Sequence, residues 1–223
     1  MSWVRRIAKK VAFSTPMCVM WRLTTRLKLI QNRNRRKRCL EIGPGANRIP
    51  GFETLDIRPG MRVDYVWDAQ KKLPFEDTTF DVIYASHVLE HIAWYKVQDT
   101  LREWTRILKP GGRLEVWVPD GLKICKGLVD FEVHGENYIE KDGWYRYNPD
   151  KDPCVWAAGR LFTYGDGKGS PYDPNWHRGL FTPRYLKFLF EKLGLKNVRE
   201  MTHEEVRGYD HRWINLGMVG TKL

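Results

Sequence analysis

Four groups of residues in this sequence have the types and spacing for chemistry. The first is the glycine turn Leu40-Glu41-Ile42-Gly43-Pro44-Gly45. Gly43 and Gly45 let the backbone bend sharply and let a ligand come close to the chain. The second is a pair of acids, Asp56 and Asp68, each at the end of a short apolar run. A carboxylate at Asp56 can accept hydrogen bonds from both hydroxyls of a ribose. One at Asp68 can accept from an adenine amino group while a neighbouring amide meets a ring nitrogen. The third is His87-Val88-Leu89-Glu90-His91, whose polar members span one helical turn. The fourth is Asp120, directly after Trp117-Val118-Pro119, together with His177 in Asn175-Trp176-His177-Arg178. Histidine titrates near neutral pH and suits proton transfer to or from an acceptor. His87, His91, His134, His177 and Asp120 are the candidate bases. Each group has a plainer reading beside the chemical one. The acids are ordinary strand-end residues, His91 and Glu90 a polar cap, and Asp120 the N-cap of a following helix.

The glycine turn does not suit a dinucleotide. That fingerprint needs a third glycine, where Arg48 stands, and an acid about 20 residues on. Asp56 follows Gly45 by only 11 positions, and Pro50 and Gly51 crowd the space for a phosphate-binding helix. A smaller adenosine ligand without phosphates fits better.

Alternating strands and helices must hold these residues. Strand patterns cover 39–42, 52–57, 63–67, 80–86 and 113–118, with closing strands expected at 197–202 and 213–220. Helical spacing runs over 96–108 and stops at Lys109-Pro110-Gly111-Gly112. A second helix follows Thr182-Pro183, a cap with proline at the first helical position. The alternation predicts an α/β fold with a mostly parallel sheet, and ligands at the carboxyl ends of its strands. Residues 120–181 break the rhythm. They hold 11 of the 29 aromatic residues and read as a loop-rich insertion, an acceptor region or lid.

The segments LEIGPG, LDI, WDAQKKLPFEDTTFDVIYASHVLEHI and EWTRILKPGGRLEVWVPD, in that order over residues 38–120, resemble a class I S-adenosylmethionine-dependent methyltransferase of the small type 11-like group. The resemblance implies a Rossmann-like seven-stranded sheet in the order 3-2-1-4-5-7-6, with strand 7 antiparallel. It implies S-adenosyl-L-methionine as cofactor. Glu41, Gly43 and Gly45 would then surround its methionine part, Asp56 the ribose, Asp68 and Ala69 the adenine, and Ser86 and His87 the sulfonium side. The connection between strands one and two is too short for the family's usual helix. The expected catalytic residues are His177, His87 and Asp120, with no metal ligand among the site residues.

The charge distribution narrows the partners. The chain has 223 residues and a formal net charge of +11, yet twelve basic residues precede the first acid, Glu41, and the remainder is close to neutral. We therefore divide the chain into a basic helical arm, 1–38, and a methyltransferase domain, 39–223. In the arm, Val4, Ile7, Ala8 and Val11 form one apolar stripe, and Met17, Met20, Trp21, Leu23, Leu27 and Ile30 a second. Such helices either pack on the body or lie on an anionic membrane surface. A nucleic-acid tether is the lesser alternative, because the body lacks a basic face. The four cysteines lie far apart, which argues against a disulfide scaffold or structural zinc site. No run approaches the roughly 18 apolar residues of a membrane span. The expectation is a cytoplasmic enzyme, with the inner face of a membrane as the place its arm would touch. Its acceptor would be a small molecule or glycan, methylated at oxygen. The alternatives are a nucleic-acid methyltransferase tethered by its arm and a non-catalytic cofactor-binding protein.

Overall fold

A computed structural model describes residues 16–45, 48–136, 147–163, 165, 167–208 and 210–223. The first apolar stripe of the arm and the aromatics Tyr138, Trp144, Tyr145 and Tyr164 lie outside these residues. The chain order is α1 (Pro16–Asn32), β1 (Cys39–Ile42), β2 (Glu53–Asp56), β3 (Tyr65–Val66), β4 (Phe80–Ser86), α2 (Val97–Arg106), β5 (Leu108–Pro119), α3 (Gly121–His134), α4 (Pro153–Phe162), α5 (Pro183–Lys192), β6 (Lys196–Glu200) and β7 (Asn215–Thr221). The strands form one sheet in the order β3-β2-β1-β4-β5-β7-β6. The first five run parallel, and β7 lies antiparallel between β5 and β6. This is the sheet that the resemblance implied.

Side-chain alternation along the central strands feeds two cores. Leu40, Ile42, Ile83, Ala85, Leu114 and Val116 point to one face, where Leu101 and Trp104 of α2 and Leu186 and Phe190 of α5 cover them. Each such fully buried side chain contributes about 1.5–3 kcal/mol over an exposed one. Val82, Tyr84, Trp117 and Val219 point to the other face, which Ile49, Phe52 and Met201 cover. Among the described residues no helix lies between β1 and β2, as their short connection required. The bidentate Arg48 side chain fastens that connection instead, donating to Phe52 O and reaching Asp64 at 2.7 Å.

Two sequence readings need correction. The Lys109–Gly112 segment ends α2 but does not precede the strand. It lies within β5, where a bulge shifts the register between Phe80↔Leu108 and Val82↔Arg113. The stretch 120–181 is not simply loop-rich, because α3 and α4 form within it. Gly127 in α3 serves packing: a Cβ there would lie 3.2 Å from the Trp156 ring. Trp156 stacks on Trp213, and Ile124, Ala157 and Ile214 complete a small third core.

The described part of the arm packs on the sheet edge through Leu29, which lies against the main core, and through polar contacts. Thr25 Oγ1 accepts from Val66 N–H at 3.1 Å, and Asn32 Nδ2 donates to the Tyr65 hydroxyl at 2.8 Å. Leu23, Leu27 and Ile30 face outward, at 53%, 59% and 72% exposure. The apolar stripe of α1 is thus not the face that packs on the body. No helix among the described residues is long and apolar enough to cross a membrane.

Candidate cofactor and acceptor site

Parallel strands end at one edge of the sheet, and there the residues expected to do chemistry converge. Two adjoining hollows open at this edge. The smaller, about 270 Å³, is lined by Gly43, Gly45, Asp56, Asp68, Ala69 and His87 among others. The larger, about 550 Å³, is lined by Glu41, Gly43, Gly45, Ser86, His87, Glu90, His91 and His177 among others. Gly43, Gly45, His87, His91 and Asn175 belong to both and form the wall between them. All eight residues expected around the cofactor therefore line one connected space.

Local structure explains how they are held. Gly43 sits at φ +69°, and its N–H donates to Leu55 O at 2.8 Å, turning the chain over the end of β2. A Cβ on it would fall 2.3 Å from Val88 Cγ2. Gly43→Ala is expected to destabilise the protein by about 1–3 kcal/mol, from the left-handed backbone plus the forced shift of Val88. Urea unfolding measures it, and a loss below about 0.5 kcal/mol would contradict the packing argument. Gly45, by contrast, has open space where its Cβ would be.

Asp56 ends β2 and accepts from Arg58 N–H at 2.7 Å; burial pushes its carboxyl above the usual range. Asp68 accepts from Gln70 N–H at 3.0 Å. Glu41 is buried, accepts from Ile49 N–H at 2.9 Å, and is likewise pushed up by burial. These features suit S-adenosylmethionine. Gly45 leaves a cradle that a Cβ would enter, and two carboxylates at successive strand ends flank the smaller hollow.

The histidines are differently engaged. His87, at φ +54°, follows β4. Its Nε2–H donates to Asn215 Oδ1 at 3.1 Å; that oxygen also accepts from His211 N–H, while Asn215 Nδ2 donates to Asp210. Its Nδ1 lies 3.0 Å from Glu90 Oε1. Burial holds the His87 imidazole down to about 4 and pushes the Glu90 carboxyl up. With both ring nitrogens bonded, His87 is a positioned wall rather than a free base. His177 lines the larger hollow, and burial also holds its imidazole down to about 4. Its Nδ1–H donates to Arg160 O at 3.2 Å, which leaves Nε2 as the acceptor.

Asp120 does not line either hollow. It is 2% exposed, and its Oδ1 accepts from Leu122 N–H and Lys123 N–H as the N-cap of α3. It therefore holds the end of β5 and does not meet an acceptor. His134 is exposed in the last turn of α3, away from both hollows. Arg160, Asn175, Asp210 and His211 also line the larger hollow, and the sequence reading did not select them. They sit in the insertion and in the connection between β6 and β7, where no periodicity marks a residue as facing a strand end.

The chain is similar in sequence and fold to known methyltransferases. The sequence model of a family described as "Methyltransferase domain" matches residues 31–116. The ubiquinone/menaquinone biosynthesis C-methyltransferase UbiE of Cereibacter sphaeroides is 46% identical over 55 residues, 25% of this chain and 21% of that protein. The sterol 4-C-methyltransferase strm-1 of Caenorhabditis elegans is 45% identical over 47 residues, 21% of this chain and 14% of that protein. The alignments thus span at most about a fifth of these relatives' length. A solved SAM-dependent methyltransferase from Archaeoglobus fulgidus has a TM-score of 0.47 at 16% identity, covering 97% of this chain and 99% of that one. Over residues 31–116 the chain thus matches the methyltransferase-domain family, whose cofactor is S-adenosylmethionine, and its strand order is the one that the class I, type 11-like resemblance implied.

Proposed function

We propose that this protein transfers a methyl group from S-adenosylmethionine to a hydroxyl of a small-molecule or glycan acceptor held in the larger hollow. The observation that carries this reading is the convergence of Glu41, Gly43, Gly45, Asp56, Asp68, Ala69, Ser86 and His87 on one connected space. The bound cofactor supplies a sulfonium methyl group open to in-line displacement. Asp56 receives the ribose hydroxyls, and Asp68 with the Ala69 amide receives the adenine edge. Glu41 and the 43–45 turn hold the methionine part. His87, locked by Glu90 and Asn215, shapes the wall beside the reacting centre. His177 faces the acceptor with Nε2 free to accept. The polar lining, with Arg160, Asn175 and Asp210 added to the histidines, suits an acceptor rich in hydroxyls. The family and the named relatives support a small-molecule acceptor, and both relatives cited carry C-methyltransferase names.

Calorimetric titration with S-adenosylhomocysteine tests the cofactor site, and a labelled-methyl screen of acceptor pools tests the chemistry. Label in a sugar or alcohol supports the reading, and label at carbon corrects the acceptor atom. Binding with no transfer to any pool favours a non-catalytic cofactor-binding protein.

The outward face of α1 adds a place of action. Leu23, Leu27 and Ile30 project beside the exposed Arg22, Arg26 and Arg33, a pattern suited to an anionic bilayer surface. Co-sedimentation with vesicles containing anionic lipid is expected to exceed that with neutral vesicles. Changing Leu23, Leu27 and Ile30 together to serine is expected to lower it at least about tenfold, since each side chain contributes apolar burial. Unchanged binding by that variant would sink the membrane assignment.

A further inference from the structure

We infer that Glu90, His91 and His177 form a binding site for one divalent transition-metal ion, of zinc or iron(II) type, on the wall of the larger hollow. One ligand atom from each of the three lies within 4.8 Å of the others. A cation bonds such ligands at about 2.0–2.2 Å, which places tetrahedral ligand atoms about 3.4 Å apart. Side-chain rotations that bring the ligand atoms about 1 Å closer together complete the site.

Three features distinguish this cluster from a chance grouping of polar residues. First, both imidazoles are oriented as ligands. His91 Nδ1 meets Trp176 O at 3.3 Å and His177 Nδ1 meets Arg160 O at 3.2 Å. A carbonyl only accepts, so each Nδ1 carries the proton and each Nε2 keeps its lone pair for the hollow. Backbone carbonyls play this outer role around many metal-bound histidines. Second, Glu90 is 1% exposed, and its Oε2 has no hydrogen-bond partner among the described residues. A buried carboxylate oxygen left unpaired is costly, and a cation bound through both oxygens of Glu90 would satisfy it. Oε1 is meanwhile steered by His87 Nδ1 at 3.0 Å.

Third, the two segments are fastened together. Glu90 O accepts from Arg178 N–H at 2.7 Å and Gly179 N–H at 3.0 Å. These backbone bonds hold the His177 segment against the short turn Leu89–His91, so the three ligands do not depend on loop position. His177 Nε2 is 4.0 Å from Glu90 Oε1, too far for a direct hydrogen bond.

Two imidazoles and one carboxylate match the donor preference of zinc and of non-haem iron(II), and three protein ligands leave positions open. Those positions face the hollow. If the methyl-transfer reading above holds, the acceptor is one that presents an oxygen donor to the metal, and His177 serves as a ligand and not as a free base.

The test uses the full chain after chelator treatment. Zinc is titrated by calorimetry, and cobalt(II) is followed by its visible absorption. Expected are one equivalent of zinc and cobalt bands of a four- or five-coordinate site without sulfur charge transfer. Glu90→Gln, His91→Ala and His177→Ala are each expected to weaken zinc binding at least about a hundredfold, because each removes one of three ligands. Cys125→Ser and Cys154→Ser, at exposed thiols, should leave it unchanged. S-adenosylhomocysteine affinity, measured on every variant, reports folding.

No stoichiometric binding by the unaltered chain overturns the inference, as does a cobalt spectrum identical to the free ion. Affinity that survives the three ligand changes, or vanishes with the thiols, does the same. The cobalt spectrum needs no variant, so a ligand change that unfolds the chain does not protect the idea. Cofactor binding without metal removes the inference and leaves the methyltransferase reading. Metal binding without cofactor does the reverse.

Discussion

Arg38→Met is expected to cost about 3–5 kcal/mol of folding stability, the usual penalty for removing one member of a buried ion pair. Arg38 is 8% exposed, and its Nε and Nη2 donate to the two oxygens of Glu53 at 2.9 and 2.8 Å. Its guanidinium lies 4.7 Å from the centre of the Phe80 ring. Glu53 is 1% exposed and also accepts from the Tyr65 hydroxyl, which in turn accepts from Asn32. This chain of contacts ties α1, the start of β1, β2 and β3 into one unit. Methionine preserves the stem but leaves the Glu53 charge buried with the tyrosine alone. Urea unfolding at neutral pH measures the loss as a lower midpoint at constant slope. The double change Arg38→Met with Glu53→Met should be milder than Arg38→Met alone, because no orphan charge remains. A single-variant loss under about 1 kcal/mol would falsify the claim that this pair pins the sheet edge.

Asp56→Ala is expected to weaken S-adenosylhomocysteine binding by about a hundredfold or more while leaving the unfolding midpoint nearly unchanged. The carboxylate stands at the end of β2, half-buried, beside the smaller hollow. Two hydrogen bonds from ribose hydroxyls to a charged acceptor contribute about 1.5–3 kcal/mol each. Within the free protein the side chain's hydrogen bonds are local ones, from the backbone N–H groups of Arg58 and Ile57, so little stability rests on it. Asp56→Asn separates charge from shape: it should fall between the two, since one oxygen remains as an acceptor. Calorimetry reads all three proteins. Equal affinity in the unaltered chain and Asp56→Ala would mean that the adenosyl group lies elsewhere, and the proposed function would fall with it.

The two predictions concern opposite ends of β2, and they differ in how visible they were beforehand. Asp56 stood out because strand-end position is a local property: a short apolar run, an acid and then Arg58-Pro59-Gly60 mark where the strand stops. Asp68, Ser86 and the 43–45 turn were legible for the same reason. Arg38 was not. It sat at the end of a basic run and was grouped with a solvated arm, whereas its partner Glu53 lies fifteen residues on and across the sheet. The outward stripe of α1 was legible as an amphipathic pattern, but the pattern did not say which side faces the sheet. Thr25 and Asn32 won that side because they satisfy the edge strand and the buried tyrosine.

By itself, the sequence determined the alternation of strands and helices and the strand ends, and hence most residues that line the two hollows, since each follows from rules acting within a few neighbouring positions. Tertiary structure alone decided which distant residues complete the larger hollow. His177 reaches Glu90 across a separation of 87 positions because Glu90 O binds the backbone at 178 and 179, and Asn215 reaches His87 because β7 returns antiparallel beside β5. Contacts of that kind depend on how distant loops close over a sheet edge, and no local spacing encodes where a loop will land.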